Sequence, residues 1–548
     1  MAVKTRRRDF LKAAAALTAM PLSPNLRALN DRASNGRALN TRASNQRAEP
    51  DYVVIGAGSA GCVLAHRLSA NPSVRVTLIE AGTSGESDAA ITTPGRWVSL
   101  MGSQYDWGYR TEAVAGMDNR PLAFPRGKVH GGSSAINAMT FIRGDRRCFD
   151  RWRDLGNPGW GYDDVLPLFK RLEKNETGGN EYRGGEGPLA VSGCYDPHAA
   201  HRAFLTAAVH TGYQSDARFD FNRPSPQGAA GYVQKNILDG QRHSAAAAFL
   251  VPALARPNLV VRSRSVATKL LVEGTRVVGV EYLREGQRET VRASREVILC
   301  GGVVASPQLL LLSGIGPADH LRTHGIAVVA DVAGVGANLQ DHLKLSIRWQ
   351  GKTELPGSTV TAGLFTHSNP MEASTLPANL QFYVGRGTDQ PDRVVTITVS
   401  LTQPKSRGEV RLRSSDPQAA PIIRANYLQE QADVQALVRG VHLARWFADV
   451  PVYDPIRGDE LEPGAAAKAD ADLERFVRRA ADTIYHAAGT CRMGPASDPM
   501  AVVDPQLRVR GVEGLRVADA SIMPEIVNAT THAACVMIGE KGADLLRS

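Results

Sequence analysis

Six residues near the start of the chain, Gly56-Ala57-Gly58-Ser59-Ala60-Gly61, have the glycine spacing of a turn that binds a dinucleotide. A β-branched run over residues 51–55 precedes them, and the apolar spacing over residues 62–68 predicts a helix. Gly56 permits the tight turn, Gly58 lets a pyrophosphate approach the backbone, and Gly61 lets the helix pack against the strand. The N-terminus of the helix then faces the phosphates.

The next predicted strand covers residues 74–79 and is followed directly by Glu80, which lies 24 positions after Gly56. A carboxylate at this strand end suits the hydroxyls of an adenosine ribose. It would repel the 2′-phosphate of NADP, so the motif favours FAD or NAD. The motif by itself does not separate those two cofactors. A glycine-rich turn that holds no nucleotide is the weaker alternative.

Further motifs follow along the chain, at residues 126–139, 301–316, 485–494, 515–524 and 528–541. Together with the glycine turn, they make the chain from about residue 50 to its end resemble the glucose-methanol-choline (GMC) family of flavin oxidoreductases. The resemblance implies that the cofactor is FAD. It also implies an α/β fold in which a doubly wound, Rossmann-type FAD-binding domain joins an α+β substrate-binding domain with an antiparallel sheet.

The resemblance implies that both domains are discontinuous in sequence. We assign to the FAD-binding domain residues 50–145, 220–330 and 481–548, and to the substrate-binding domain residues 146–219 and 331–480. The residue patterns agree with a mixed second domain. Strand-like segments occur at residues 380–384, 394–401 and 409–412, and helical spacing occurs at residues 431–450 and 470–480. The active site is expected between the domains, under the flavin.

Two C-terminal histidines, His486 and His532, form the catalytic pair that the resemblance implies. Alcohol oxidation needs a base for the hydroxyl proton, and histidine titrates near neutrality. The flavin takes the hydride at its N5 atom. His486 would accept the hydroxyl proton, and His532 would hydrogen-bond the substrate oxygen. For the other eleven histidines of the chain we expect surface or structural roles.

The resemblance also assigns residues to parts of the cofactor, position by position. The pyrophosphate turn is Gly56, Gly58, Ser59, Ala60 and Gly61, and the adenosine ribose lies at Glu80 and Ala81. The pyrophosphate or the isoalloxazine would pass close to Val129, Gly132, Ser133, Asn137, Ala138 and Met139. Val266 matches a position whose backbone meets the adenine. Asp519 and Ala520 would close the flavin site.

The chain departs from the family pattern at several positions. His130 stands where the family usually has an aliphatic residue, and of two interpretations, a polar contact near the flavin loop or no special role, we favour the second. Ile136 occupies the place of a flavin-linking histidine in some relatives, so we expect non-covalent FAD. Ala533-Ala534 replaces a common Ala-Pro pair beside His532, which weakens any inference about the substrate.

The N-terminus has the pattern of an export signal. Arg7-Arg8 precedes Asp9-Phe10-Leu11-Lys12 and a short apolar run, which is typical of the twin-arginine (Tat) route and indicates a periplasmic protein. We interpret residues 1–25 as the signal peptide and residues 26–49, with a repeated decapeptide, as a solvated linker. The run is too short to be an integral membrane segment.

The net charge of +9 belongs mostly to this N-terminal region. Residues 1–49 hold ten basic and three acidic residues, which leaves 54 of the 64 basic and 52 of the 55 acidic residues for the rest. A nucleic-acid partner is therefore not expected. None of the six cysteines has metal-ligand spacing, and no histidine–carboxylate cluster indicates a metal. We name no disulfide pair.

The sequence thus predicts an exported, FAD-dependent alcohol dehydrogenase or oxidase that converts a primary alcohol to an aldehyde. Its electrons would pass to oxygen or to a quinone or cytochrome. Alternatives on the same fold are an FAD-containing hydroxynitrile lyase, a light-driven decarboxylase and, least favoured, a non-enzymatic flavin-binding module. The substrate-site lining is expected from residues 330–480 and from the region between Trp97 and Trp107.

Overall fold

Five short apolar strands form a parallel sheet that carries the glycine turn, Gly56–Gly61. The computed structural model describes residues 49–193, 196–385 and 393–547. In spatial order the strands of the parallel sheet are Leu515–Val517, Glu296–Leu299, Tyr52–Ile55, Val76–Ile79 and Leu259–Arg262. The two central strands are buried along their whole length, as a parallel sheet covered on both faces requires.

Helices follow the strands of this sheet and cover it. The first, Ser59–Leu68, starts inside the glycine turn and packs against the C-terminal helix. The longer helices of the described residues are Ser59–Leu68, Arg146–Asp154, Tyr162–Leu172, Ala199–His210, Gly302–Leu312, Ala318–Thr323, Gln431–Ala448, Asp470–Ala480 and Thr531–Arg547.

A second, mainly antiparallel sheet forms the other wall of the molecule. Its strands, in spatial order, are Arg457–Glu462, Leu343–Gly351, Val394–Leu401, Leu380–Val384, Ala362–Thr366, Ala229–Tyr232 and Gln214–Ser215, with Asp482–Thr483 paired to the end of Leu343–Gly351. A separate three-stranded meander consists of Ser265–Glu273, Arg276–Arg284 and Gln287–Arg292.

The antiparallel sheet has one apolar and one polar face. Along Leu343–Gly351 burial alternates, because successive side chains point to opposite faces. Leu345, Val399 and Phe382 share the apolar face, which the helix Gln431–Ala448 covers. By the same register, the opposite face carries polar residues. The alternation therefore leaves a polar wall free to line a site.

The predicted fold class is confirmed, since a doubly wound parallel sheet is combined with an antiparallel sheet. The predicted strands 380–384 and 394–401 are present with those bounds, and the third ends one residue earlier, at Arg411. The predicted helix 470–480 is also present, whereas 431–450 ends at Ala448.

Three sets of contacts cross the predicted domain boundaries. Ala229–Tyr232, predicted in the FAD-binding domain, pairs with Ala362–Thr366 of the antiparallel sheet, and Asp482–Thr483 pairs there as well. The helices Arg146–Asp154 and Tyr162–Leu172, predicted in the substrate-binding domain, pack their apolar side chains into the core of the parallel sheet. Because Glu49–Ser548 forms one compact unit, the domain boundaries stay a prediction.

The predicted signal peptide and nearly all of the predicted linker lie outside the described residues. In the part of the chain that the structure describes, no helix is both long and apolar enough to span a membrane. The five cysteines described there, Cys62, Cys148, Cys300, Cys491 and Cys535, are free thiols.

Candidate active site

A cavity of about 940 Å³ runs between the glycine turn and the polar face of the antiparallel sheet. Sixteen of the eighteen predicted site residues line it, and only Gly61 and Val129 do not. Both predicted histidines, His486 and His532, are among the lining residues. Trp97 and Trp107 also contribute, as expected for that region. The fold therefore gathers residues from across the whole chain at one site.

The glycine turn has the geometry that close approach demands. A Cβ on Gly61 would lie 1.9 Å from the carbonyl oxygen of Gly56, so only glycine fits there. Gly61 thus acts through packing and not through the cavity. Helix Ser59–Leu68 begins after Gly58, and no side chain caps it. Its first N–H groups remain available to an anion at the cavity wall.

Glu80 lines the cavity and also braces the turn. One carboxylate oxygen accepts a hydrogen bond from the Ala57 N–H at 2.8 Å, and the other accepts one from the Gly82 N–H at 2.7 Å. Burial raises the pKa of Glu80, and these two hydrogen bonds lower it in part. Each oxygen keeps a second lone pair for a ribose hydroxyl.

The segment 126–139 crosses the cavity beside the glycine turn. A Cβ on Gly132 would lie 2.7 Å from the Gly58 Cα, so the two glycine segments are in direct contact. The Asn137 side chain accepts a hydrogen bond from the Met139 N–H at 2.9 Å, and Arg242 holds that Asn137 oxygen at 3.0 Å. Ser133, Ala138 and Met139 face the cavity.

Val129 is one of the two predicted site residues that do not line the cavity. Its side chain is fully buried in an apolar cluster with Ile91 and Leu100, and it does not reach the cavity. Its backbone forms a bridge with Thr83. Val129 therefore anchors the segment 126–139, and its predicted contact with the cofactor stays a prediction.

The expectation that His130 has no special role is wrong. The ring is buried, its Nδ1 lies 3.0 Å from Glu86 Oε1, and its Nε2 lies 2.8 Å from Ser263 Oγ. His130 thus connects three segments around the adenosine side of the cavity. An aliphatic residue at this position could form neither hydrogen bond.

His486 is held by a buried network that the sequence did not predict. Asp341 Oδ1 accepts a hydrogen bond from the His486 backbone N–H at 2.8 Å, and Asp341 Oδ2 accepts from Tyr427 and Thr483. Arg126 donates to the neighbouring Tyr485 carbonyl at 2.7 Å. The loop around His486 is therefore tied on both sides.

The ring of His486 contacts a second histidine. The two Nδ1 atoms of His486 and His342 are 3.0 Å apart, so one of them carries the proton and the other accepts it. If His486 donates from Nδ1, its Nε2 is left with a free lone pair for a substrate proton. His342 therefore lies in a position to set the tautomer of His486. We had expected only a surface or structural role for it.

Burial keeps the histidines of the site neutral. It lowers the pKa of His486 well below its usual value, and the nearby His342, Arg126 and Lys344 lower it further. Burial also lowers the pKa of His342 to about 3 and that of His532 to about 4. Neutral imidazole is the form that can accept a proton, and at pH 7 these rings are in that form.

His532 lies in the first turn of the C-terminal helix Thr531–Arg547 and reaches the glycine turn. Its Nδ1 lies 3.0 Å from Ser59 Oγ. The second predicted catalytic residue thus connects the cofactor turn with the active-site wall. The two rings line one cavity, but the hydrogen-bond partner of each ring is different.

The remaining predicted residues line the cavity at their expected segments. Asp519 accepts hydrogen bonds from the Gly302 N–H at 2.8 Å and from Ser306 Oγ at 2.6 Å. These bonds join the motif at residues 301–316 to the motif at residues 515–524. Ala520, Ala81 and Val266 also line the cavity. Ile136 does so too, and it offers no atom for a covalent link to a flavin.

These residues fit a flavin dinucleotide. The uncapped helix start can receive a pyrophosphate, and the Glu80 carboxylate can receive a ribose hydroxyl. The same continuous cavity then extends to the neutral His486 ring. Within the described residues, no cluster of three or more histidine, cysteine or acidic side chains could hold a metal ion.

The comparisons with known proteins agree on the family. Two family models described as GMC oxidoreductase match residues 50–344 and 404–539. Mitochondrial choline dehydrogenase of Mus musculus is 41% identical over 538 residues, which cover 91% of this chain and 89% of that protein. Oxygen-dependent choline dehydrogenase of Sinorhizobium medicae is 39% identical, covering 90% and 95% of the two chains.

Solved structures show the same fold. Pyridoxine 4-oxidase from Mesorbium loti superposes with a TM-score of 0.85 at 34% identity and covers 90% of this chain and 98% of that one. A variant of formate oxidase from Aspergillus oryzae gives a TM-score of 0.83 at 27% identity, covering 91% of this chain and 98% of that one. The four relatives named here are dehydrogenases and oxidases. The chain belongs to the GMC oxidoreductase family and is an FAD-dependent oxidoreductase that acts on the CH–OH group of alcohol donors.

Proposed function

We propose that this enzyme oxidises a primary alcohol to an aldehyde with His486 as the base that takes the hydroxyl proton. The observation that carries the proposal is that His486, which lines the cavity, pairs its Nδ1 with the Nδ1 of the buried His342 at 3.0 Å. This pairing can direct the Nε2 lone pair of His486 towards a substrate. Burial keeps that ring neutral, as a base must be.

FAD, when bound, accepts the hydride from the alcohol carbon. The other steps belong to the protein. His486 receives the hydroxyl proton, and the Asp341 hydrogen bond to its backbone keeps the ring at a fixed place. His532 hydrogen-bonds the substrate oxygen through Nε2, while its Nδ1 stays with Ser59.

Anaerobic reduction of the bound flavin by an alcohol tests the proposal. The wild-type enzyme should lose its visible flavin absorbance when a substrate alcohol is added without oxygen. His486→Ala should slow this reduction by about 10² to 10⁴-fold, because a general base contributes that much. It should retain FAD, because His486 is held mainly through its backbone.

His442→Ala is the matched control, since His442 is exposed and pairs with Asp470 on the surface. This variant should reduce its flavin at the wild-type rate. The proposal is wrong if His486→Ala reduces its flavin as fast as the control. An enzyme whose flavin no alcohol reduces would favour a non-redox activity such as a lyase.

We propose further that the protein is exported to the periplasm by the twin-arginine route. The Arg7-Arg8 motif supports this, and the route carries proteins that have already folded around FAD in the cytoplasm. Replacing Arg7-Arg8 with two lysines should retain the enzyme in the cytoplasmic fraction. Equal periplasmic amounts of both forms would rule this route out.

The electron acceptor is proposed to be oxygen, a quinone or a cytochrome. Oxygen uptake measured beside reduction of an artificial dye separates an oxidase from a dehydrogenase. We also propose that the FAD is non-covalent, because Ile136 stands where a linking histidine would be needed. Acid precipitation should then release all of the flavin into the supernatant.

A further inference from the structure

The ionisable side chains at the substrate end of the cavity are cationic. We define the substrate end as the wall formed by the antiparallel sheet and by residues 358–361. Among the described residues, this wall contributes Lys344 on one side and Lys235 nearby, and it contributes no carboxylate. Its other polar groups are neutral, and they include the hydroxyls of Thr398, Tyr383 and Thr361.

The acidic residues of the cavity lie elsewhere. Glu80 belongs to the glycine turn, and Asp519 is engaged by Gly302 and Ser306. Glu285 sits at the hairpin turn of the meander, close to Val266 and largely exposed. None of these three belongs to the antiparallel sheet. Asp341, which holds the His486 backbone, is buried and does not line the cavity, so the charged side chain that this wall presents to a substrate is the Lys344 ammonium.

Lys344 is the nearer lysine to the catalytic base. The alternation of its strand places it on the same sheet face as Thr398 and Tyr383. Its Nζ lies 5.1 Å from the ring centre of Tyr485, the residue before His486. Asp482 is 3.8 Å away on the outer side, is 40% exposed, and does not line the cavity. An ammonium has three donors, so this one distant partner leaves capacity for a ligand.

Two aromatic rings near the substrate end, Trp107 and Tyr485, each carry a lysine ammonium. Trp107 is stacked on Tyr109, with centroids 5.6 Å apart, and it carries the Lys128 ammonium at 4.8 Å. Tyr485 carries Lys344. Cation recognition by aromatic rings depends on a free ring face. A quaternary ammonium would therefore compete with protein lysines at both rings.

We infer that the substrate of this enzyme is an alcohol that carries an anionic group, and that Lys344 binds this group. The inference rests on the proposed alcohol oxidation. The Lys344 ammonium lines the cavity and keeps 29% of its side chain exposed, so it can attract and hold a negative ligand there. A substrate with a fixed positive charge, such as choline, would instead be repelled, although relatives of this chain are named choline dehydrogenases.

Three alcohols that share one hydroxyethyl arm test the charge preference. Isethionate carries a sulfonate, 3,3-dimethylbutan-1-ol is neutral, and choline carries a trimethylammonium group of the same shape as the neutral head. The wild-type enzyme with bound FAD should show the highest kcat/KM for isethionate and the lowest for choline. 4-Hydroxybutanoate extends the series to a carboxylate.

Variants of Lys344 test the assigned residue. In Lys344→Met, the ratio of kcat/KM for isethionate to that for the neutral alcohol should fall about tenfold, as for one lost ion pair in a partly buried site. Lys344→Glu should reverse the order and make choline the better substrate. Lys269→Met is the control, because Lys269 is exposed and does not line the cavity, and its ratio should equal that of wild type.

The ratio of kcat/KM for isethionate to that for the neutral alcohol distinguishes binding of the anion from other effects of Lys344. FAD content and the melting temperature identify a variant that has failed to fold, in which case Lys344→Gln takes its place. If Lys344 acted only on the base or the flavin, its replacement would lower kcat/KM equally for all three alcohols. The ratio would then stay constant, and this result would overturn the inference.

Two further outcomes distinguish this inference from the proposed function. If the wild-type enzyme oxidises choline faster than isethionate and the neutral alcohol, the proposed alcohol oxidation stands. The inference of an anionic substrate is then wrong. If no alcohol of this series or of a broader panel reduces the bound flavin, the proposed function itself is wrong.

Discussion

At the residue scale, the activity depends on the protonation of one ring. His486 contacts His342 through Nδ1, and its backbone is held by Asp341. Neither partner can act on a substrate directly from this position, since each is used to place the base. His486 is therefore the cavity-facing end of a buried hydrogen-bond network that includes His342 and Asp341. Substitutions in this network should change the rate of proton transfer.

The pH profile should reflect the buried state of His486. Its pKa lies well below 6.5 because of burial and nearby cations, and the neutral ring is the active form. We therefore expect kcat/KM to stay constant as the pH falls from 8 through 6.5 and to decline only in more acidic solution. Steady-state rates at saturating acceptor measure this. A half-loss of activity at pH 6.5 or above would contradict the assignment.

Removing the ring of His342 should impair the base without removing it. His342→Leu leaves the His486 Nδ1 without its partner, so the tautomer is no longer set. Flavin reduction should slow about tenfold or more, and FAD should stay bound. His342→Asn keeps a polar atom within reach and should recover part of the rate. Equal rates in both variants would indicate that His342 only fills space.

At the scale of elements, two glycine segments and one helix start build the cofactor site. The glycine turn, Gly56–Gly61, joins a central strand to the helix Ser59–Leu68, and the segment 126–139 packs on it at Gly58. His130 then connects that segment with Glu86 and Ser263. Binding of the cofactor should therefore be sensitive to substitutions at residues that do not contact it.

Two glycine substitutions separate packing from cofactor contact. Gly61→Ala places a methyl group 1.9 Å from the Gly56 oxygen, so the free energy of unfolding should fall by about 1–3 kcal/mol and FAD should be lost. In Gly58→Ala the Cβ meets only a carbonyl oxygen at 3.8 Å, so the apoprotein should stay stable while FAD binds weakly. Urea denaturation and flavin content measure both. Equal stability losses would contradict this separation.

At the scale of the whole molecule, the site lies where two sheets meet, and each sheet has its own core. The parallel sheet packs with its helices in one apolar cluster, and the antiparallel sheet packs with Gln431–Ala448 in another. Polar residues remain at the wall between them, where the cavity lies. Several histidines are buried in these cores, which couples the stability of the protein to pH.

The stability of the folded protein should decrease in acid. Burial lowers the pKa of His201 to about 3, whereas an exposed histidine in the unfolded chain titrates near 6.5. Between these values the unfolded state binds more protons, so this contribution to stability is complete above pH 6.5 and is lost as the pH falls towards 3.

Melting temperatures from pH 8 to pH 5 measure the effect. His201→Asn should show a smaller decrease between pH 6.5 and 5 than the wild type, since one buried titrating ring is gone. His442→Asn removes an exposed ring and should keep the wild-type slope. A slope unchanged by His201→Asn would assign the acid sensitivity to other groups.

The sequence by itself determined the local features. The glycine turn with Glu80 after the next strand, the strand 394–401 and the helix 470–480 are all present as predicted. Each depends on residues within about 25 positions of one another, through turn geometry and the periodicity of apolar side chains. The family motifs added the approximate position of the histidines and the cofactor.

Only the tertiary structure decided which distant residues meet. His342 and His486 are 144 positions apart, and His130 and Ser263 are 133 apart. Lys344 faces the cavity because its strand pairs in one register with Val394–Leu401, and Ala229–Tyr232 joins the antiparallel sheet because it pairs with Ala362–Thr366. Local periodicity encodes neither the order nor the register of strands far apart in the chain, so these contacts follow from the packing of the whole molecule.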